Sequence, residues 1–453
     1  MRNMVLLAYL IPVGARCLVP DRCAAQAPLR LAEALERAEQ DAFANRIAAG
    51  ESAASEGEAL RPLKGILPSV RLESGYQRTT DPLGAFGFTL RQREVTPAAF
   101  APASLNDPAA IGNLGTGLVL EQPLFNADAW LGRRAANRQR DAARAAERWT
   151  RTATAVDVVR GYWGTVLATE QVRALEQSLE AARSHHRQAE SLAHQGMATS
   201  SDALLASVKA GEIEALLASA RSQARLAKRG LALLMGAPGD TGFVMPDSLP
   251  SPDRLRSVMS RAMASPAGAR ADVEAADHAL AAASADASRA SALYLPRLNS
   301  FGRLDWNAPG APFGGKSSWT VGVMLSWSPF SGASELSEHR VATGRQAAAR
   351  AMAESATAQA TLDLARAHDG LEVAAARLDI AEGAVGQARE AHRIVSRKYD
   401  GGLATVAELL DAATAETAAH LGVVAARYEA IMATTEILRA EGSALSLLGD
   451  LED

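Results

Sequence analysis

The sequence predicts a mixed α/β membrane protein made of two copies of one structural unit. Two observations predict this fold class. Segments recur along the chain at a nearly constant offset, and strand-like alternation is confined to short stretches that separate long, proline-free helical stretches. Each unit is therefore expected to hold a pair of amphipathic strands followed by a long helical hairpin.

The internal repeat is visible at two landmarks. The segment Gly196 to Leu205 reappears as Gly402 to Asp411, which lies 206 positions later (402 minus 196). The segment Leu118 to Phe125 returns as Val323 to Phe330, displaced by 205 (323 minus 118). A repeat of this length is too long for a solenoid unit and indicates a pseudo-twofold arrangement of two structural repeats.

We expect the first repeat to span residues 28–240 and the second to span 241–453. The expected elements of the first are a short helix, a strand pair at about 67–124 with a long connecting loop, a long helix at 127–195 and a return helix at 199–235. Those of the second are short helices at 250–292, a strand pair at about 295–327, a long helix at 333–399 and a return helix at 405–447.

Composition and charge exclude several classes of protein. The net charge is −4 and charges of both signs are mixed, so no basic patch points to nucleic acid. Beyond the N-terminus no run of eighteen apolar residues occurs, which argues against a transmembrane helix. Alanine dominates the apolar residues, as in helices that pack closely over long distances.

The first 27 residues are expected to be a secretory signal peptide. Arg2 precedes the apolar stretch from Met4 to Val13, and small residues around Ala25 offer a cleavage site. Cys17 and Cys23 both lie within this segment, so no disulfide or thiol chemistry is expected after cleavage. A lipid-modified N-terminal cysteine is the alternative, which the arginine before each cysteine disfavours.

The stretch from Trp319 to Trp327 alternates strictly between apolar and small or polar residues, with a tryptophan at each end of its apolar face. Transmembrane β-strands have about this length and carry aromatic residues at the two membrane interfaces. We therefore predict a membrane strand rather than an ordinary half-buried one. The aromatic residues expected at the interfaces are Trp319, Trp327, Trp306 and Tyr76.

Similar alternation predicts three further strands, around Val70, Leu118 and Leu304. Four strands are too few to close a barrel around a filled interior. Open sheet edges are not tolerated inside a bilayer, because their backbone groups stay unpaired there. Several copies of the chain are therefore expected to pool their strands.

The long segments between the strands predict coiled-coil helices. Val156, Val159, Trp163 and Val166 follow the 3, 4, 3 spacing of a packed helical seam. A helix of about 68 residues is about 100 Å long, at 1.5 Å per residue. Because such helices are too long and too polar for a bilayer, we expect them to project into water as a conduit or a tether.

With the duplicated order established, the chain resembles the outer membrane efflux protein family, whose type member is TolC. The resemblance rests on Leu67-Pro68, on the segments Gln122 to Phe125 and Trp327 to Phe330, and on two Gly-x-Ala-Thr turns. It implies an outer-membrane homotrimer, in which four strands per chain form one 12-stranded barrel that a periplasmic α-helical barrel continues. It also implies docking of a periplasmic adaptor (membrane fusion) protein and an inner-membrane transporter, either ABC or proton-driven.

The resemblance implies specific site residues. Those of the periplasmic pore constriction are Glu408, Asp411, Asp202 and Tyr399. Those of the adaptor-docking tips are Gly196, Met197, Ala198, Thr199, Gly402, Leu403, Ala404 and Thr405. Ala404 stands where the type member has an arginine, which weakens the analogy of the closing network. An i, i+3 spacing places Glu408 and Asp411 on one helix face, but acidic residues also simply favour a helix N-terminus.

Other motifs carry no chemistry in this interpretation. Gly310 to Ser317 matches the phosphate-loop pattern but leads into a strand, where nucleotide binding needs a helix N-terminus. His185 and His186 are adjacent and diverge around a helix, so they do not form a metal-binding pair. We expect no cofactor, no metal and no catalysis.

The leading functional hypothesis is an exit duct of a tripartite export system, serving type I secretion of a protein. A multidrug or small-molecule efflux pump is the first alternative. A periplasmic coiled-coil tether or adaptor without a pore is the second.

Overall fold

The computed structural model describes residues 28–264, 268–443 and 445–452, so the expected signal peptide lies outside the described residues. The first half contains α1 (Leu31–Asp41), α2 (Phe43–Glu58), β1 (Ser69–Thr79), α3 (Pro82–Gln92), α4 (Pro102–Asn106), β2 (Ile111–Phe125), α5 (Ala127–His194) and α6 (Ser200–Leu234). The second half contains α7 (Pro252–Met263), α8 (Ala271–Ala292), β3 (Arg297–Ala308), β4 (Lys316–Ser326), α9 (Ser334–Asp400) and α10 (Val406–Ala440). Short 3₁₀ turns add Arg61–Gly65, Pro97–Phe100 and Leu445–Leu451.

The strand pair and the long helical hairpin recur in both halves, whereas α3 and α4 between β1 and β2 have no counterpart between β3 and β4. The long helices α5 and α9 contain 68 and 67 residues, and the return helices α6 and α10 contain 35 residues each. At 1.5 Å per residue, the long helices reach about 100 Å. In the part of the chain that is described, no helix combines the length and the hydropathy of a membrane span.

Two boundaries differ from the sequence prediction. The return helix expected to reach residue 447 ends at Ala440, because Gly442 adopts a positive φ of 68°. The amides of Gly442 and Ser443 bond back to the carbonyls of Arg439 and Leu438, a glycine C-cap that stops a helix whatever apolar residues follow. In addition, Trp327 lies just beyond β4 and donates its indole N–H to the Tyr294 carbonyl at 3.1 Å.

The four strands form one antiparallel sheet in the order β1-β2-β3-β4. Leu72 pairs with Leu118, Leu118 with Leu304, and Leu304 with Trp319, so one row of apolar side chains crosses all four strands. Directly paired residues point to the same side of a sheet. Seven apolar residues of this side each expose more than half of their own surface: Val70, Leu72, Tyr76, Trp319, Val321, Val323 and Leu325.

The opposite side of the sheet is polar. Arg303 lies on it and forms an ion pair with Asp305 at 2.8 Å. Asn113 donates its amide to Asn307 at 2.9 Å, and both side chains are buried. The sheet therefore has an apolar face that other described elements leave exposed and a polar face that carries charges and an amide ladder.

The main hydrophobic core joins the two halves. Trp163 of α5, Leu231 of α6, Leu378 of α9 and Ile431 of α10 are all fully buried in one cluster. The short helices α1 and α7 close this cluster from outside, and the Tyr162 hydroxyl donates to the Leu29 carbonyl at 2.7 Å. Because both hairpins share one core, they are expected to unfold as one unit rather than as two domains.

Gly236→Ala is predicted to destabilise this core. Gly236 caps α6 with a φ of 77°, and a Cβ there would stand 2.2 Å from the Asp41 carbonyl oxygen. The left-handed backbone alone costs an L-residue about 1–2 kcal/mol, and the overlap with Asp41 adds to this. Thermal unfolding of the purified protein should show a lower midpoint. Gly239→Ala is the matched control, since a Cβ there meets nothing within 4 Å; equal midpoints for the two variants would contradict the prediction.

Candidate functional site

Both helical hairpins turn at one end through the same backbone motif. Gly196 and Gly402 adopt φ values of 71° and 70°, which glycine tolerates without a steric penalty. In each turn the following amide, of Met197 or Leu403, bonds to a carbonyl five residues earlier, at 2.9 and 2.7 Å. The duplicated Gly-x-Ala-Thr sequence therefore encodes the same tip twice.

Each tip presents one large apolar side chain to solvent. Met197 is 67% exposed and Leu403 is 82% exposed, at equivalent positions of the two turns. Ala404, by contrast, is partly buried beside the core of the tip. The two turns therefore expose the same kind of side chain at the same position of each hairpin.

Thr199 and Thr405 begin the return helices α6 and α10 with complete capping boxes. The Thr405 amide donates to Glu408 Oε2 at 2.7 Å, and the Glu408 amide donates to Thr405 Oγ1 at 3.2 Å. The Thr199 and Asp202 pair repeats this arrangement at 3.0 and 3.2 Å. The carboxylates of Asp202 and Glu408 are therefore used for local helix capping. The bond from the Thr405 amide also lowers the pKa of Glu408.

Asp411 differs from Glu408 although both are exposed. Within the described part of the chain, the Asp411 carboxylate takes part in no hydrogen bond or ion pair. It lies one turn beyond the capping box on the same face of α10. Of the two acidic residues, only Asp411 has a carboxylate that local structure does not hold.

Tyr399 lies at the end of α9 between the two tips. It is buried against Ala206 of α6 and Val406 and Leu409 of α10, and its hydroxyl has no hydrogen-bond partner among the described residues. Burial raises the pKa of Tyr399, and the nearby charge of Asp202 adds to the effect. The structure thus brings Tyr399 and Asp202 near each other, but the Asp202 carboxylate bonds to its own capping threonine.

A histidine cluster above the tip was not predicted from the sequence. His185 and His186 diverge as expected, but His185 meets His392 of the other repeat, with ring centroids 5.6 Å apart. Both line a cavity of about 220 Å³ between the two hairpins. Among the described residues, no group of three or more His, Cys, Asp or Glu side chains is placed to hold a metal ion. No local spacing signals this contact, because its partners are about two hundred residues apart.

The loop between β1 and β2 contains a second feature that the sequence did not reveal. The Gln92 side chain at the end of α3 donates to the Asn113 side chain at 3.0 Å and to the Gly112 carbonyl at 2.8 Å. Because Asn113 lies on the polar face of the sheet, α3 is anchored over that face. Arg91 of α3 lines a cavity of about 610 Å³ together with Glu73 and Arg303.

The remaining predicted residues lie around the ends of the sheet. Trp306 packs edge-to-face on Phe313 at 5.3 Å, next to the loop that joins β3 and β4. Trp319 and Tyr76 are exposed on the apolar face. The phosphate-loop-like segment leads directly into β4 at Lys316, so no helix N-terminus faces it.

Comparison with known proteins identifies a family and solved structures that share this fold. A sequence profile described as outer membrane efflux protein matches residues 48–237 and 267–443. No match was found among curated protein sequences. Several solved structures share the fold over nearly the whole chain at low sequence identity.

A membrane protein from Pseudomonas aeruginosa superposes with a TM-score of 0.76 at 20% identity, covering 95% of this chain and 99% of that one. The outer membrane protein VceC from Vibrio cholerae gives 0.76 at 20% identity and covers 91% and 96%. The Campylobacter jejuni CmeC outer membrane channel gives 0.75 at 14% identity and covers 97% and 93%. Since the family profile matches most of the chain in two segments, one in each repeat, this protein belongs to the outer membrane efflux protein family, a family of outer-membrane channels.

Proposed function

We propose that this chain is the outer-membrane exit channel of a tripartite export system, and that three copies complete it. The observation that carries the proposal is the sheet, which is apolar on one face, polar on the other and open at both edges. Strands β1 and β4 each have one neighbour within the described chain. Pairing β4 of one copy with β1 of the next satisfies the free backbone groups, and three copies supply twelve strands.

The polar face then lines the lumen and the apolar face meets lipid. Arg303, Asp305 and Glu73 are suited to water inside a pore, and a coiled-coil tether has no use for them. The helical hairpins, about 100 Å long at 1.5 Å per residue, continue the lumen into the periplasm. This division of polarity favours a channel over the tether hypothesis.

The tips at Met197 and Leu403 are the proposed docking points of a periplasmic adaptor protein. Their exposed apolar side chains lie at the ends of both hairpins, so threefold symmetry would give six similar points. An inner-membrane transporter, ABC or proton-driven, would complete the system through that adaptor. The family match makes efflux of small molecules the first cargo hypothesis and type I secretion of a protein the second.

The proposed function is tested by reconstituting the full-length protein in planar bilayers. A trimer that passes stepwise currents is the expected result, and carbonate washing should leave the protein in native membranes. A stably monomeric protein that never conducts, in the native form or in any variant below, would contradict the proposal. Cargo is then assigned by deleting the gene and measuring accumulation of dyes or antibiotics against secretion of proteins.

Asp411→Asn is predicted to lower the preference of the channel for cations severalfold. Three Asp411 carboxylates would gather near the axis and attract cations, because local structure does not engage them. Reversal potentials in a salt gradient measure the effect. Glu408→Gln should change selectivity less, since its carboxylate caps α10. Glu214→Gln on α6 is the matched control, and an equal effect of Asp411→Asn and Glu214→Gln would rule out a ring at Asp411.

The helix α3 is predicted to narrow the outer mouth of the channel. Because Gln92 anchors α3 over the polar face, Gln92→Ala should release it and raise single-channel conductance. Replacing residues 82–92 by a short Gly-Ser linker should raise it further. Leu83→Ala, on an exposed position of the same helix, should leave conductance unchanged. If the linker variant conducts like the native protein, α3 does not lie across the pore.

A further inference from the structure

The seam between the two helical hairpins contains a cluster of ionisable groups just above the tips. His185 of α5 belongs to the first repeat, and His392 of α9, with Glu416 and His420 of α10, belongs to the second. Their side chains line the cavity of about 220 Å³ that separates the hairpins. The cluster therefore lies at the point where a change of charge acts directly on the contact between repeats.

Glu416 and Arg389 contact the two histidines of the second repeat. His392 Nδ1 lies 2.6 Å from Glu416 Oε2, and because an ionised carboxylate only accepts, Nδ1 carries a proton. His420 Nε2 lies 3.4 Å from an Arg389 nitrogen and 3.7 Å from Glu416 Oε1. Glu416 is therefore shared by both histidines of the second repeat.

Two imidazole nitrogens of the cluster are buried without a partner. Nε2 of His185 and Nε2 of His392 have no hydrogen bond among the described residues. A neutral imidazole can leave a lone pair unpaired at modest cost, whereas a buried N–H of an imidazolium cannot be left without an acceptor. Protonation of His185 at Nε2 therefore requires water to enter the cavity.

The surrounding charges offer little compensation for a proton on His185. Lys209 of α6 is paired with Glu212 at 2.9 Å, and Arg389 of α9 lies 3.6 Å from Glu416. The carboxylate that lines the cavity, Glu416, is already engaged by His392, and only the charge of Asp400 favours a proton on His185. Positive charges that share a partly dry site repel one another strongly.

Burial lowers the pKa of His185, and the neighbouring His392 lowers it further. The lowered pKa of His185 determines whether acid favours the closed or the separated hairpins. A hydrated, separated seam lets His185 return towards the ordinary histidine value of about 6.5, so the separated state binds the proton more readily. Acidification through that range favours separation, and above it the closed seam is favoured.

We propose that His185, His392, Glu416 and His420 form a pH-sensitive latch that holds the two hairpins together at neutral pH and releases them in acid. Two hydrogen bonds without a histidine flank the latch, one between Ser178 and Thr417 at 2.9 Å and one from Gln188 to Asp400 at 2.8 Å. The second of these adjoins Tyr399 and the tip. Release of the seam would therefore loosen the constriction. The effect on conduction rests on the proposed channel function.

The test compares hydrogen exchange of the full-length protein in nanodiscs at about pH 7.5 and about pH 5.5, on either side of the histidine range. After correction for the intrinsic rate, native peptides covering residues 180–194 and 386–400 should exchange faster in acid. For each unit by which the closed seam lowers the pKa of His185, the exchange rate can increase in acid by up to about tenfold. His185→Gln should remove most of this increase, and His185→Leu should do the same if the glutamine variant folds poorly.

His186→Gln is the matched control, because it removes a neighbouring histidine that points away from the cavity; it should respond like the native protein. Bilayer currents of the same variants should rise in acid only where the seam opens. Acid-induced exchange without any current would support the latch and contradict the channel. If the protein conducts but His185→Gln and His185→Leu show the same acid-induced increase in hydrogen exchange as the native protein, the channel is supported and the latch is overturned.

Discussion

The structure depends on the pairing of backbone hydrogen-bond groups along the edges of a four-stranded sheet. In water an exposed edge is a hazard for aggregation, and in hydrocarbon it costs several kcal/mol for each unpaired group. Strands β1 and β4 face this constraint with one neighbour each in the described chain. In the proposed assembly, pairing with further copies relieves this constraint, and the polar face of the sheet lines the lumen.

The helical part follows from a different requirement, that of building a long wall from few bulky residues. Its core is concentrated in one cluster around Trp163, Leu378 and Ile431, where both repeats meet. Beyond that cluster, smaller clusters such as the one around Tyr399 hold the hairpins. Towards the tips, hydrogen bonds and charged groups therefore act beside small apolar clusters rather than beside one large core.

Much of the site could be predicted because it is encoded locally. Glycine at the turns, threonine at the caps and an acidic residue three positions later produce the tips wherever the segment occurs. The carboxylate of Glu408 caps α10 and leaves Asp411 as the acidic group without a local partner, while the constriction role of both residues stays a prediction. The end of α10 was misplaced for a related reason: apolar periodicity continued past Gly442, and the conformation of that glycine outweighed it.

The sequence by itself determined the duplication, because the two halves can be compared directly, and it determined the helix lengths, the tip turns and the two-faced strands, because these depend on local residue patterns. The tertiary structure decided the pairing of Leu118 with Leu304, the anchoring of Gln92 on Asn113 and the meeting of His185 with His392. These contacts join residues from about twenty to about two hundred positions apart. Such contacts depend on how whole elements dock, and no local spacing of side chains specifies them.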